Sequence, residues 1–184
     1  IGETFSRFNR VVRDVAKELD KSITLVIEGA DTELDKSVVE KIGDPLTHLV
    51  RNSIDHGLES PQQRLAAGKP EKGTVLLNAY HDSGNIVLEV SDDGAGIDTD
   101  KVLAKAIANG LVSPDQKLSR PEILRLILEA GLTTKAEVSD LSGRGVGMDV
   151  VKKNVEALRG SIEVDSELGK GTSIRIRLPL TLSI

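Results

Sequence analysis

His48-Leu49-Val50-Arg51-Asn52-Ser53-Ile54-Asp55-His56-Gly57 reads as the closing turns of an amphipathic helix. Residues four apart lie on one helical face, so His48 and Asn52 stand together, with Asp55 and His56 one turn on. Leu46, Leu49, Val50 and Ile54 supply the apolar side. The Asn52 carbonyl oxygen is a hard donor that suits Mg²⁺, which prefers oxygen ligands and commonly arrives with phosphates. Histidine gives or takes a proton near neutral pH. A solvated helix face with one hydrogen-bonded histidine has the same pattern, and the segment alone leaves both readings open.

Two glycine-rich stretches bear on that choice. Asp92-Asp93-Gly94-Ala95-Gly96-Ile97 follows directly on a strand pattern. Glycine lets backbone approach a ligand closely, and a strand-end carboxylate accepts hydrogen bonds from an amine, so Asp92 is placed to read the exocyclic amine of adenine. A tight turn after a strand is the competing reading, since Asp-Gly pairs favour turns. Ser142-Gly143-Arg144-Gly145-Val146-Gly147-Met148 opens a helix in which Met148, Val151, Val155 and Leu158 recur at helical spacing. Free amides at a positive helix end suit phosphates; a flexible linker is the alternative. The G-x-G-x-G spacing excludes a Rossmann site, and no G-x-x-x-x-G-K-[ST] occurs, which excludes a P-loop. Gly169-Lys170-Gly171-Thr172 fits the turn of the last hairpin, with the Thr172 hydroxyl available to support Asp92 or contact a base. Lys101, Lys105 and Lys135 offer cations for phosphates, although lysines in such a segment are ordinarily solvated.

The chain has 184 residues, 39% hydrophobic and 29% charged, which suits one globular domain. Phe5, Phe8 and Tyr80 are its aromatics, so a base-shaped ligand must lie on aliphatic side chains and backbone, and a stacking platform for single-stranded nucleic acid is excluded. A net charge of −5 argues against nucleic acid or anionic membrane as a general partner. The absence of cysteine removes disulfides and thiolate chemistry and fits the cytoplasm. No apolar run approaches the ~20 residues of a spanning helix, so direct membrane insertion is not expected. The chain begins with Ile1 and stops in an apolar segment, 178–184, which reads as one domain, 1–184, excised from a longer multidomain chain.

Periodicity predicts a first helix through Phe5, Phe8, Val12, Val15 and Leu19, then a strand over 23–27. Asp44-Pro45 is expected to kink or restart the helix that follows, and Gly57 to end it. Residues 58–73 read as a loop with one short helix. Strands 74–81 and 85–92 form a hairpin about Asp82-Ser83-Gly84, with one buried and one wet face. Residues 98–141, with modest helices at 101–108 and 121–129, form a candidate mobile lid. A helix ended by Gly160 and strands 161–166 and 172–178 close the chain, with Glu163 and Asp165 set to pair with Arg175 and Arg177. The expected fold is α/β (α+β): a two-layer sandwich of one mixed, mostly antiparallel sheet with helices on one face.

His48-x-x-x-Asn52, Asp92-x-Gly94-x-Gly96 and Gly143-x-Gly145-x-Gly147 resemble the N, G1 and G2 boxes of the gyrase, heat-shock chaperone, histidine kinase and MutL (GHKL) superfamily, whose Bergerat-type fold carries an ATP lid between the last two. HLVRNSIDHG, SGRGVGMDVVK and the terminal IRLPLTL are similar to the kinase domain of CheA-type chemotaxis histidine kinases, from about residue 3 onward. The resemblance implies Asn52 on Mg²⁺, Asp92 on adenine, and the later glycine stretches around the phosphates of ATP. It also implies γ-phosphoryl transfer to a histidine on a separate phosphotransfer domain of the same protein, in trans within a dimer. His48 stands where hydrolytic branches carry a water-activating glutamate, which implies a catalytic proton-handling or Mg²⁺-water-contacting role; Arg51 and Asp55 would be supporting polar groups. A CheW-type adaptor, chemoreceptors and a response regulator are the further implied partners of this two-component system. An ATP-hydrolysing module of the same fold and a nucleotide-sensing scaffold are the alternatives. One departure is visible: Leu128-Glu129-Ala130-Gly131-Leu132-Thr133-Thr134-Lys135 stands where the family's lid usually has two phenylalanines around Pro-Gly.

Overall fold

Ser83 and Gly84 both take positive φ, 49° and 80°, the pattern of the two-residue turns whose twist matches an antiparallel pair. That turn joins β2 (Gly73–Asp82) to β3 (Asn85–Asp92), paired from Asp82↔Asn85 to Val75↔Asp92. The computed structural model describes residues 10, 13–14, 16–18, 23–29, 36–54, 58–128 and 148–179. β1 (Ile23–Glu28), β4 (Ser161–Glu167) and β5 (Gly171–Pro179) complete a sheet of order β1-β2-β3-β5-β4, in which β1 is parallel to β2 and every other pair antiparallel. The helices are α1 (Lys36–Asn52), α2 (Pro61–Ala66), α3 (Thr99–Ala108), α4 (Arg120–Arg125, continuing as a 3₁₀ turn over Leu126–Leu128) and α5 (Met148–Ala157). The described part of residues 10–18 is helical.

One face of the sheet packs on α1 and α5: Leu77, Leu88 and Ile176 share a core with Leu46, Leu49, Val151 and Val155. The expected two-layer, mixed and mostly antiparallel arrangement is the one seen. The opposite face is not simply wet, because Val87 is fully buried between its cross-strand neighbours Tyr80 and Arg177. Long charged side chains cover apolar surface with their stems. Here Arg177 Nη1 donates to Asp82 Oδ2 at 2.7 Å and Arg175 Nε to Glu89 Oε2 at 2.8 Å. Glu163 lies 3.7 Å from both arginines and Asp165 3.9 Å from Arg175, the expected cross-hairpin pairing.

Two local expectations change. α1 runs unbroken through Pro45. A proline inside a helix costs about 3 kcal/mol. Ile42, Leu46, Leu49, Val50 and Ile54 are nevertheless essentially inaccessible, and each such side chain contributes about 1.5–3 kcal/mol, so packing wins. Ser53 and Ile54 then widen into a π turn, with Leu58 N–H donating to the Ser53 carbonyl at 2.9 Å; the proposed stop at Gly57 lies outside the described residues.

Residues 98–128 are not a loose lid. Asp98 caps α3, and Ser119 forms a reciprocal capping box with Glu122 at α4. Ala106 and Val112 lie at the centre of a second small apolar cluster with Val102, Leu103, Leu118 and Leu126. Leu128, the first of the residues that depart from the family's lid, is buried in the main core. The rest of the expected lid, 129–141, lies outside the described residues.

At the end of α5 the left-handed position belongs to Arg159 (φ 60°), not Gly160. Gly160 is needed for proximity: a Cβ there would stand 2.6 Å from the Arg177 carbonyl oxygen and 2.7 Å from Leu178 Cδ2. Gly160→Ala is therefore expected to destabilise the domain by about 1–3 kcal/mol through overpacking. Arg159→Gly should stabilise it by up to about 1 kcal/mol by relieving left-handed strain. Urea denaturation of the two variants checks both signs.

Candidate functional site

β3 ends at Asp92, which pairs with Thr172 of β5, so the first glycine stretch leaves the sheet beside the β4–β5 turn. Two glycines permit that contact. Gly96 has φ 76°, and a Cβ there would meet the Glu167 carbonyl oxygen; a Cβ on Gly171 (φ 132°) would meet the Asp92 carbonyl oxygen. Ser166, buried in β4, joins the two segments. Its Oγ accepts from Ile97 N–H at 2.8 Å, donates to the Gly171 carbonyl at 2.9 Å and lies 3.0 Å from Thr172 Oγ1. The Arg120 guanidinium of α4 donates to the Ser166 carbonyl, tying the second apolar cluster to the same point.

Asp92 is half-buried, and Gly94 N–H donates to its Oδ1 at 2.9 Å. Burial pushes its carboxyl above the ordinary value; hydrogen bonds from the Gly94 backbone, the Ser53 side chain and the Thr172 backbone oppose the rise, while neighbouring Asp93 adds to it. Ser53 belongs to the π turn, so the end of α1 reaches the end of β3. The structure thus brings Asp92, Gly94, Gly96 and Thr172 together. His48 and Asn52 stand four residues apart on α1, both half-buried. Arg51 Nη2 lies 4.0 Å from Glu18 Oε2, directed to the N-terminal helical segment. Lys101 sits exposed in the first turn of α3, Lys105 is half-buried in its last turn, and Met148 begins α5. Asp55, Lys135, Gly143, Arg144, Gly145, Val146 and Gly147 lie outside the described residues.

Beneath the Asp92–Gly96 loop is a charged cluster that the pattern of apolar residues does not reveal. Arg64 of α2 is 1% exposed. Its Nε donates to the Pro70 carbonyl at 2.7 Å, Nη1 to Glu59 Oε1 at 3.0 Å and the Asp93 carbonyl at 3.1 Å, and Nη2 to Asp93 Oδ2 at 3.1 Å. Lys69 Nζ reaches Glu59 Oε2 at 2.7 Å, and Asp93 Oδ1 accepts from Thr74 N–H at 2.8 Å. Burial alone raises the Glu59 carboxyl, but the Lys69 hydrogen bond, with the charges of Lys69 and Arg64, holds it below its ordinary value. The signal available in sequence was the Ser60-Pro61-Gln62-Gln63 capping box, which fixes α2 and hence the direction of Arg64.

A family model described as histidine kinase-, DNA gyrase B-, and HSP90-like ATPase matches residues 41–182, a span that contains most of α1, both glycine stretches and the last hairpin. The chain belongs to this family. It is 57% identical over 180 residues to the chemotaxis protein CheA of Klebsiella aerogenes, covering 98% of this chain and 28% of that protein. It is 52% identical over 184 residues to CheA of Treponema pallidum, covering 100% and 23%. Against the sensor histidine kinase CheAY of Helicobacter pylori it is 51% identical over 186 residues, again covering 100% and 23%. The chain thus corresponds to about a quarter of the length of these relatives. A histidine kinase domain from a blue-light activated histidine kinase of Erythrobacter litoralis has the same fold at TM-score 0.56 and 17% identity, covering 97% of this chain and 65% of that one.

In this ATPase-family domain, Arg64→Met should cost about 1–3 kcal/mol at pH 7, because the Pro70 and Asp93 carbonyls lose a donor and Glu59 and Asp93 lose one of their two charge or hydrogen-bond partners. Glu59's folded pKa lies below its unfolded value near 4.5, so its stabilisation is complete above that value and is lost as pH falls through the folded pKa. The deficit of the variant, followed by urea denaturation, should therefore narrow on acidification below about pH 4.5.

Proposed function

We propose that residues 1–184 form one catalytic domain of a longer protein, which binds ATP with Mg²⁺ and transfers the γ-phosphoryl group to a histidine on a separate phosphoacceptor domain in chemotaxis signalling. The observation that carries this reading is the partly buried Asp92 carboxylate at the end of β3, set against the end of α1 by Ser53. A carboxylate has about four acceptor positions, and the donors from Gly94, Ser53 and Thr172 leave room for an amine. Adenine's 6-amino group is the ligand group that matches, and the aliphatic core beside it supplies the flat apolar surface that a chain with three aromatics must use.

Among the described residues no group of three or more His, Asp or Glu is arranged to hold a metal. The donor offered is the Asn52 side-chain carbonyl oxygen, a hard ligand of the kind Mg²⁺ accepts beside water and phosphate oxygens. When bound, the cation would neutralise phosphate charge. The chain's own residues then position the substrate. Asp92 would orient the base, and Asn52 and His48 on α1 would serve the phosphates. Gly143, Arg144, Gly145, Gly147 and Lys135, outside the described residues, are assigned to the phosphates by the sequence motif alone, with Lys101 and Lys105 as further cations. The acceptor nitrogen attacks the γ-phosphorus as its bond to the bridging oxygen breaks, and ADP leaves. Such a transfer depends on positioning and charge more than on covalent chemistry from the enzyme. His48 manages a proton or a metal-bound water; it is a poorer activator of attacking water than a carboxylate would be.

The relatives are named chemotaxis proteins and a sensor histidine kinase. By that likeness a phosphoacceptor domain acting in trans within a dimer, a CheW-type adaptor, chemoreceptors and a response regulator are the partners, in the cytoplasm. No described helix is long and apolar enough to cross a membrane.

The direct test mixes the domain with Mg²⁺, γ-labelled ATP and the histidine-acceptor domain of the same protein. Acid-labile, alkali-stable label on the acceptor is expected. Its loss in His48→Ala and Asn52→Ala supports the assigned roles. Steady phosphate release without acceptor would replace the kinase reading by hydrolysis, and binding without either reaction would replace it by nucleotide sensing.

Asp92→Asn should lower the preference for ATP over GTP by about tenfold or more, since a group built to accept would then present a donor as well. The same variant should gain stability. Asp92's folded pKa lies above its unfolded value of 3.8, so its contribution is complete below that value and is lost as pH rises through the folded pKa. Asparagine does not ionise, so melting curves of the nucleotide-free domain should show the advantage of the variant growing as pH rises from 3.8 through the folded pKa and levelling off above it.

A further inference from the structure

Gly94 is free to rotate, yet the peptide unit before it is gripped at both ends. The unit between Asp93 and Gly94 is planar, with its carbonyl oxygen and N–H on opposite sides. Its oxygen accepts from Arg64 Nη1 at 3.1 Å and Lys69 Nζ at 3.2 Å. Its N–H donates to Asp92 Oδ1 at 2.9 Å. Lys69 Nζ also donates to the next carbonyl, that of Gly94, at 2.8 Å. A flip of this unit would remove the amide that orients the Asp92 carboxylate and aim a carbonyl at it instead. Two cations on the oxygen oppose that flip, and by polarising the amide they strengthen its N–H as a donor. Lys69 is itself held by Glu59 at 2.7 Å, with 18% of its side chain exposed, so its ammonium has a fixed place.

We propose that Lys69, supported by Arg64, is a positioning residue for nucleotide selection: by fixing the peptide between Asp93 and Gly94 it presets the Asp92 carboxylate to receive the 6-amino group of a purine nucleotide. This rests on the assignment of Asp92 as the adenine acceptor. Lys69 lies twenty-three residues from Asp92 in the chain and acts without touching the nucleotide. A purely structural role would change the fraction folded or the melting temperature. A positioning role changes the ratio of affinities for nucleotides that differ at the 6-position.

The test is calorimetric titration of the whole chain with ATP and with inosine triphosphate, which carries a 6-oxo group in place of the amine. Wild type is expected to prefer ATP. Lys69→Met should weaken ATP binding by about tenfold and inosine triphosphate binding by less than about twofold, and Lys69→Arg, which restores a cationic donor, should recover most of the preference. A Lys69→Met protein with a lowered melting temperature but the wild-type preference overturns the clamp. A wild type with no preference for ATP overturns the assignment of Asp92 itself. Should Lys69→Met not fold, Glu59→Gln loosens the anchor of Lys69 while keeping its volume; a smaller loss of preference in the same direction supports the proposal, and an unchanged preference overturns it.

Discussion

The antiparallel pairing of Asp92 with Thr172 is the constraint on which the rest of the structure depends. Side chains alternate across a sheet, so a slip of one residue between β3 and β5 would turn Ile86, Leu88 and Val90 out of the core and carry Asp92 to the other face. The apolar burial of the sheet against α1 and α5 therefore sets the direction of one carboxylate. Gly171 makes the register possible, because a Cβ there would meet the Asp92 carbonyl oxygen. Fold energy and site geometry are coupled at this pair: what fixes the core also aims Asp92 at the end of α1.

Burying charge beneath the Asp92–Gly96 loop asks for an explanation, since apolar residues of similar volume often stabilise a fold equally well. An apolar filler would leave the carbonyls of Asp93 and Gly94 without donors in a water-poor place, at about 1–3 kcal/mol each. Arg64 and Lys69 supply those donors, and Glu59 and the Asp93 carboxylate balance their charge. The cluster follows from the backbone it serves. A loop rich in glycine brings main chain close to a ligand, and main chain held out of water must find partners from elsewhere in the chain.

What the sequence shows and what it hides divide along the range of the interactions. Alternation along 86–91 and 172–178, the Asp82-Ser83-Gly84 turn and the helical spacing after Gly147 are local, and the observed β2, β3, β5 and α5 follow them closely. Asp92, Gly94, Gly96 and Thr172 were legible as candidates because special backbone needs leave glycine and a strand-end carboxylate in the string. Pro45 misled, because its local cost is fixed while the gain from the buried face of α1 depends on tertiary packing. Gly160 follows the end of α5 as expected, but the reason for glycine there is proximity to Arg177 and Leu178, and the left-handed φ of 60° falls on Arg159. The compact packing of 98–128 was hidden because Ala106 and Val112 bury little surface each and their partners are scattered over nearly thirty residues. Arg64 and Lys69 look like any solvated cations until α2 folds back under the loop.

On the proposed reading of Asp92, stability is exchanged for recognition. Asp92 is placed where burial disfavours its charge, and its pKa rises accordingly. A surface carboxylate would be more comfortable, but it would already be satisfied by water and would discriminate weakly between an amine and a carbonyl. A carboxylate partly withdrawn from water, with donors that offset part of its burial, gains more from one further amine. The Gly94 amide, the Ser53 hydroxyl and the Thr172 backbone provide that support from three different parts of the chain. Each is held by its own device: a cation-capped peptide, a π turn closing α1, and a strand register. The burial and its three supports form one unit, because removing the supports would raise the carboxyl pKa further and removing the burial would return the group to water.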